Sequence, residues 1–532
     1  MESPRAIRLE ERKRQFMAPF DLSDLRQRRD TFAVELRKQK RNEGTHKRRL
    51  LAGQKFTQGS EEIHSLELRE FSETLVQVFP QLRNSPGTPV QALKELLRHP
   101  NLSHELYRDA LSALRRLLSR DISPPTEAVV SHGFVPVVLR FINLHDFPAE
   151  IVVEATWIMC NVVSGSKTAT EEAIRSGCIQ AFVSVLDPAH PDILEVAIWG
   201  MGNIAGDGPM FRDLLINSRA HEMLTTLIRQ SQPLDPKVAK VCAWTLTSFV
   251  RGKVPPPLNV CEEVVKAVEV LVKTTDSETL KDCFWVLSHI SDADNDYTQL
   301  IINAGLGKVA MGFLSGSMPE IIHPALRIAG NIASGDDLMT QHVLDQGLLD
   351  KLVPLLQSSS TLIRKEVMWT LSNVTAGTVE QCQAFLSHPV AREAVKTMGD
   401  GDLNVRKEAA WCFSNIVKKG KTTQKLQLLD FDILPFLKML LNDSIEVVPN
   451  GLVLVDHLLV AGREQSQMQN LPVNLVALKM EESGCLHALE LLTHHENAVL
   501  AGESQRILSH FFTLEDTTIV FQDAPAPRFA FG

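Results

Sequence analysis

Val196-Ala-Ile-Trp199-Gly-Met-Gly-Asn203-Ile-Ala-Gly206-Asp207 decides how this chain folds, because versions of it return at a fixed interval. All six tryptophans sit in similar contexts: Glu154-Ala-Thr-Trp157, Val196-Ala-Ile-Trp199, Val241-Cys-Ala-Trp244, Asp282-Cys-Phe-Trp285, Glu366-Val-Met-Trp369 and Glu408-Ala-Ala-Trp411. They are 42, 45, 41, 84 and 42 residues apart. The double gap has Arg327 at its midpoint, in Ala325-Leu-Arg-Ile-Ala-Gly-Asn331. A second marker, a glycine opening an apolar helix, recurs at Gly133, Gly177 and Gly347. Gly165, Gly206, Gly252, Gly335, Gly377 and Gly420 follow the Trp-bearing segments as helix stops.

A period near 42 with helical apolar spacing defines an all-α solenoid of the armadillo/HEAT type. A single repeat cannot bury its own apolar face, so neighbours must stack. Residues 76–512 accommodate roughly ten such repeats, each ending in its Trp-bearing helix. Residues 513–532 read as a flexible tail.

Of the 532 residues, 44% are hydrophobic and 22% charged. The net charge of −9 is unevenly spread. Residues 1–55 hold 16 Lys/Arg against 8 Asp/Glu, and the remainder carries a net −17. A basic arm is thus attached to an acidic body, which attracts cations. Within the arm, 21–49 has a narrow apolar side at Leu25, Phe32, Val34 and Leu36. Its charge repulsion argues for folding only on a partner. Residues 56–75 read as a linker. Eight cysteines are scattered singly, without a C-x-x-C pair, so neither a zinc site nor a disulfide framework is expected. No secretory leader or long apolar run is evident, which reads as a soluble chain with no membrane partner. No P-loop, nucleophile elbow or metal-ligand cluster is found, so no enzymatic activity, cofactor or metal is expected.

Four residues after each marker comes a polar residue: Asn161, Asn203, Ser248, His289, Asn331, Asn373 and Asn415. Positions i and i+4 share a helix face, so stacking sets these pairs in a row. An Asn amide offers both a donor and an acceptor to the backbone of an extended peptide. The Trp faces accept aliphatic stems and favour a Lys or Arg head group. A lone Trp is more often core. Here all six share one register, and an Asn beside each would be costly in a dry core, so the row reads as a binding surface.

These residues resemble the importin-α family over nearly the whole chain. The resemblance rests on Ala113-Leu-Arg-Arg-Leu-Leu-Ser119-Arg120 before Pro124-Pro125, on Asn203-Ile-Ala-Gly-Asp207, and on Pro324-Ala-Leu-Arg327-Ile-Ala-Gly-Asn331. Trp369-Thr-Leu-Ser-Asn373 and Glu408-Ala-Ala-Trp411 add to it. The arm, with Leu25-Arg26-Gln-Arg28-Arg29, then Arg37-Lys38-Gln-Lys40-Arg41, then Lys47-Arg48-Arg49, is similar to an importin-β-binding domain. The resemblance implies a nuclear import adaptor that shuttles between cytoplasm and nucleus. It implies a major site for basic localisation signals at Trp157/Asn161, Trp199/Asn203 and Trp244/Ser248. There Asp207, flanked by Gly165 and Thr170, takes the key lysine.

It further implies a minor site at Arg327/Asn331, Thr340, Trp369/Asn373 and Trp411/Asn415, with Glu366 and Glu408 as acidic partners and Asp282 and Trp285 between the two. Lys47, Arg48 and Arg49 would occupy the groove as an internal signal. The implied partners are an importin-β-type receptor, cargo with basic signals, and a nuclear export receptor with Ran-GTP held by the last repeat. The chain departs from the family pattern at Ser248, at Val196 and Val241, and at His289. The alternative, an armadillo scaffold for signalling or adhesion partners, would need neither arm nor Asn row. Binding of nucleic acid by the arm is disfavoured by its interleaved acids and few aromatics.

Overall fold

The computed structural model describes residues 80–84, 88–119, 124–231, 233–252 and 254–512, together with 73 and 76. The expected arm, the linker and the tail lie outside these residues, apart from 73 at the linker's end. Among the described residues all regular structure is helical. Ten long helices, one per repeat, carry the markers or their equivalents: α1 His104–Leu118, α2 Ala149–Val163, α3 Pro191–Gly206, α4 Pro236–Val250, α5 Ser277–Ser291, α6 Pro319–Ala333, α7 Thr361–Thr375, α8 Leu403–Lys419, α9 Val448–Met468 and α10 Ala498–Phe511. Most are preceded by two shorter helices, as Lys167–Arg175 and Cys178–Ser184 precede α3.

The chain forms two compact units, with the boundary after Ala304. In the first, α1 to α5 pack successively against one another; in the second, α6 to α10 do the same. The starts of the long helices are set by side-chain caps. Asp235 accepts from Lys237 N, Asp276 from Thr279 N, Ser360 from Ile363 N, and Asp402 from Asn404 N and Val405 N. Each such cap satisfies backbone donors that the first turn leaves without partners. Successive repeats are also tied by charge. Arg364 grips Asp400 through two bonds of 2.7 and 3.0 Å, and Arg406 grips Asp443 through two of 2.5 and 3.0 Å.

The recurring glycines fall into two physical classes. Gly177 and Gly347 join two short helices at φ +96° and +76°, a left-handed conformation that favours glycine. The glycines expected to stop the long helices do stand at their ends, but for a different reason. Of these six only Gly252 has positive φ. At Gly335 and Gly377 the constraint is space: a Cβ would meet Met339 Sδ at 2.5 Å and Gln381 Oε1 at 2.1 Å. All eight cysteines are buried and none forms a disulfide. Burial pushes the thiols of Cys160 and Cys261 up to about 12.

Candidate functional site

Four aromatic positions of the first unit fall on consecutive packed helices: Trp157 on α2, Trp199 on α3, Trp244 on α4 and Trp285 on α5. Trp157, Trp199 and Trp285 are half-buried, whereas Trp244 is only 5% exposed. Trp199 and Trp244 meet edge to face with centroids 6.3 Å apart. In the second unit Trp411 is half-buried and Trp369 is again 5% exposed.

The depth of each ring follows the residue three positions after the marker on the preceding helix. Ahead of Trp244 and Trp369 that residue is Gly202 and Gly330. A Cβ there would lie 2.3 Å from Trp244 Cζ3 and 2.4 Å from Trp369 Cζ3. Ahead of the half-buried Trp199 and Trp411 it is Cys160 and Ser372. Gly202 and Gly330 are therefore site residues that the Trp pattern alone does not reveal; their spacing from the markers does.

The Asn row is in place, and Asn161, Asn203, Asn331, Asn373 and Asn415 are all buried. Each bonded amide reaches back one repeat. Asn373 Nδ2 donates to Gly330 O at 3.0 Å, Asn415 Nδ2 to Ser372 O at 3.0 Å, Asn161 Nδ2 to Ser119 Oγ at 3.2 Å, and Asn203 Nδ2 to Cys160 Sγ at 3.7 Å. These buried Asn are tolerated because a neighbouring repeat supplies an acceptor. One amide hydrogen of each is spent on stacking. The second hydrogen and Oδ1 are the groups a peptide backbone would use.

At the end of α3 the turn brings Asp207 to Thr170, whose Oγ1 donates to Asp207 Oδ2 at 2.7 Å. Arg251 Nη2 donates to Gly206 O at 3.0 Å and braces the same turn. Eight residues after the marker, the other Trp- or Arg327-bearing helices offer Gly165, Gly252, Ala293, Gly335, Gly377 and Lys419, so Asp207 is the one carboxylate at this position in that series. Gly165 is exposed, and a Cβ on it would meet Thr126 Cγ2 at 2.7 Å. Ser248 is buried on α4. Glu154, three before Trp157, is paired with Arg115 at 2.5 Å, and that guanidinium lies 6.0 Å from the Trp157 centroid. Asp282 is buried on α5, in the same unit as Trp285.

In the second unit Arg327 is 1% exposed, bonds Glu366 Oε2 at 2.8 Å and lies 4.5 Å from the Trp369 centroid. Lys365 reaches Glu366 Oε1 at 3.3 Å. Burial alone would raise the Glu366 carboxyl, but Arg327, Lys365 and His323 pull it down to about 2. Glu408 is in the opposite state. It is 6% exposed, and its Oε2 has no hydrogen-bond partner among the described residues. Burial pushes its pKa up to about 8 against the pull of Lys365. Thr340 is buried, with Oγ1 donating to Ala333 O at 2.9 Å. The two acids expected to act alike therefore differ: Glu366 is ionised and paired with Arg327 and Lys365, whereas burial holds Glu408 protonated.

Helical repeats stacked through such ladders define an armadillo-repeat protein. The armadillo/beta-catenin-like repeat family matches residues 168–206 and 336–376, and the importin beta binding domain family matches residues 12–85. The chain is 32% identical over 301 residues to importin subunit alpha-2 of Arabidopsis thaliana, covering 56% of this chain and 52% of that one. It is 34% identical over 223 residues to importin subunit alpha-1b of Oryza sativa subsp. japonica (42% and 41% covered). With importin subunit alpha-B of Dictyostelium discoideum it shares 32% over 322 residues (60% and 58%). The chain is therefore similar to importin-α subunits in its repeats, with a match to the importin beta binding domain ahead of them. It spans about half the length of the curated relatives it matches. A crystal structure of an engineered protein superposes with a TM-score of 0.67 at 24% identity, covering 79% of this chain and 98% of that one, which speaks to the fold alone. No helix among the described residues is long and apolar enough to cross a membrane.

Proposed function

We propose that the chain is a non-enzymatic nuclear import adaptor. It binds extended basic segments of cargo on its Trp/Asn ladders, and its N-terminal arm engages an importin-β-type receptor. The observation that carries this reading is the Asp207 carboxylate, which accepts from Thr170 at 2.7 Å and caps the end of the helix that carries half-buried Trp199. Such a site selects a lysine: the ring takes the stem and the carboxylate takes the ammonium. The amide row grips any backbone, while Asp207 demands a cation. Shuttling between cytoplasm and nucleus, with an export receptor and Ran-GTP held at residues 495–500 of the last repeat, belongs to the same reading. Asp207→Lys tests it. Placing a like charge where the lysine sits should cost a peptide with one basic cluster about 2–5 kcal/mol of affinity. Calorimetry showing unchanged binding, with the second unit's ladder blocked, would refute the assignment.

A further inference from the structure

The last tryptophan of the second unit's ladder already carries a cation of its own chain. Lys418 stands seven residues after Trp411 on α8, two turns along the same face. Its Nζ lies 5.0 Å from the Trp411 ring centroid. Partial loss of water around it lowers its pKa from the ordinary lysine value. At the same offset from the Trp or Arg327 marker, α2 to α7 carry Ser164, Gly206, Arg251, Asp292, Ser334 and Ala376. Only Arg251 is also cationic there, and it donates to Gly206 O. The neighbouring Lys419 is anchored too, with Nζ donating to Ala376 O at 3.1 Å. Lys418 is exposed and sits at the helix terminus, so its side chain can leave without disturbing the core.

Granting the proposed peptide-binding function, we propose that Lys418 is a built-in competitor for the Trp411 face. A basic side chain of an extended peptide must displace it before lying on that ring. Lys418 thus makes this slot selective. Arginine, with its planar and more weakly hydrated head, displaces a lysine from an indole more readily than another lysine does. Peptide positions facing Trp411 are accordingly read as Arg over Lys.

The test uses the full-length chain carrying Asp207→Lys, with a fluorescein-labelled Gly-Lys-Arg-Lys-Arg-Gly peptide and anisotropy as the readout. Lys418→Ser should tighten binding about two- to fivefold, the size of one exposed cation–aromatic contact. Lys418→Arg should not tighten it. In a Trp411→Leu background, which keeps apolar bulk at the site, the gain from Lys418→Ser should vanish. An unchanged or weaker affinity for Lys418→Ser overturns the proposal. So does an equal gain in the Trp411→Leu background, which would mark a long-range charge effect. If neither the parent nor the Lys418 variant binds, the assignment of a second ladder fails and this inference with it.

Discussion

Glu408→Gln is the substitution whose outcome the buried charges of the second unit determine most sharply. The carboxyl is 6% exposed and its pKa is raised from 4.5 to about 8. Between those two values the folded chain holds a proton that the unfolded chain has released. The contribution of Glu408 to stability therefore falls as pH rises through that window. At pH 7 the gap from 4.5 corresponds to an upper bound of about 3 kcal/mol of destabilisation relative to a neutral isostere. Rearrangement of Lys365 and Lys407 reduces it, so Glu408→Gln should stabilise the second unit by about 1–3 kcal/mol at pH 7. The gain should shrink toward zero at pH 5. Glu366 does not confuse the result. Its lowered carboxyl contributes stability that is present above 4.5 and is lost only as pH falls toward about 2. Urea denaturation of parent and variant at pH 5, 6, 7 and 8, read as the difference in midpoint, measures the effect. A variant no more stable than the parent at pH 7, or a difference that does not change with pH, would show that Glu408 is ionised in the folded chain.

Three further outcomes are expected. Gly202→Ala drives a methyl to 2.3 Å from Trp244 and should destabilise by about 1–3 kcal/mol with a red-shifted Trp emission, whereas Gly502→Ala, with nothing within 4 Å, should not destabilise; thermal melts with fluorescence decide it. Ser248→Asn should tighten a single-cluster basic peptide by about 0.5–1.5 kcal/mol in a calorimetric titration, and no gain would mean that water or a neighbour already fills the role. Deleting residues 1–55, or changing Lys47, Arg48 and Arg49 to Ala, should raise apparent affinity for a basic peptide tenfold or more, with a gain that shrinks at high salt; equal anisotropy curves for full-length and truncated chains would refute self-occupancy.

The register of the ladder was legible because a period near 42 repeats a residue type at one helix face, and face membership is a matter of counting. The depth of each ring was not. It depends on whether the preceding helix presents a hydrogen, as at Gly202, or a side chain, as at Cys160. Sequence places the Asn residues on the Trp face because i and i+4 are visible along a helix. Their second partner lies 42 or 43 residues back and shows only once the repeats are stacked. Glu366 and Glu408 look alike in sequence, each three residues before a Trp. Their difference comes from Arg327, one repeat before Glu366 and two before Glu408. Lys418 left a signal that could have been counted, a cation at Trp+7, but nothing in one dimension says that it folds over the ring.

The coupling between a glycine on one helix and a ring on the next limits how such a chain can be rearranged. A repeat bearing a sunken tryptophan fits only behind a repeat that presents a hydrogen at the facing position. Placing the Trp369 repeat after the one that contributes Cys160 would set an indole against an occupied site. The repeats are therefore not interchangeable cassettes. Duplicating or shuffling them preserves the fold only when a donor and its successor travel together, so the unit of inheritance is the junction between two repeats.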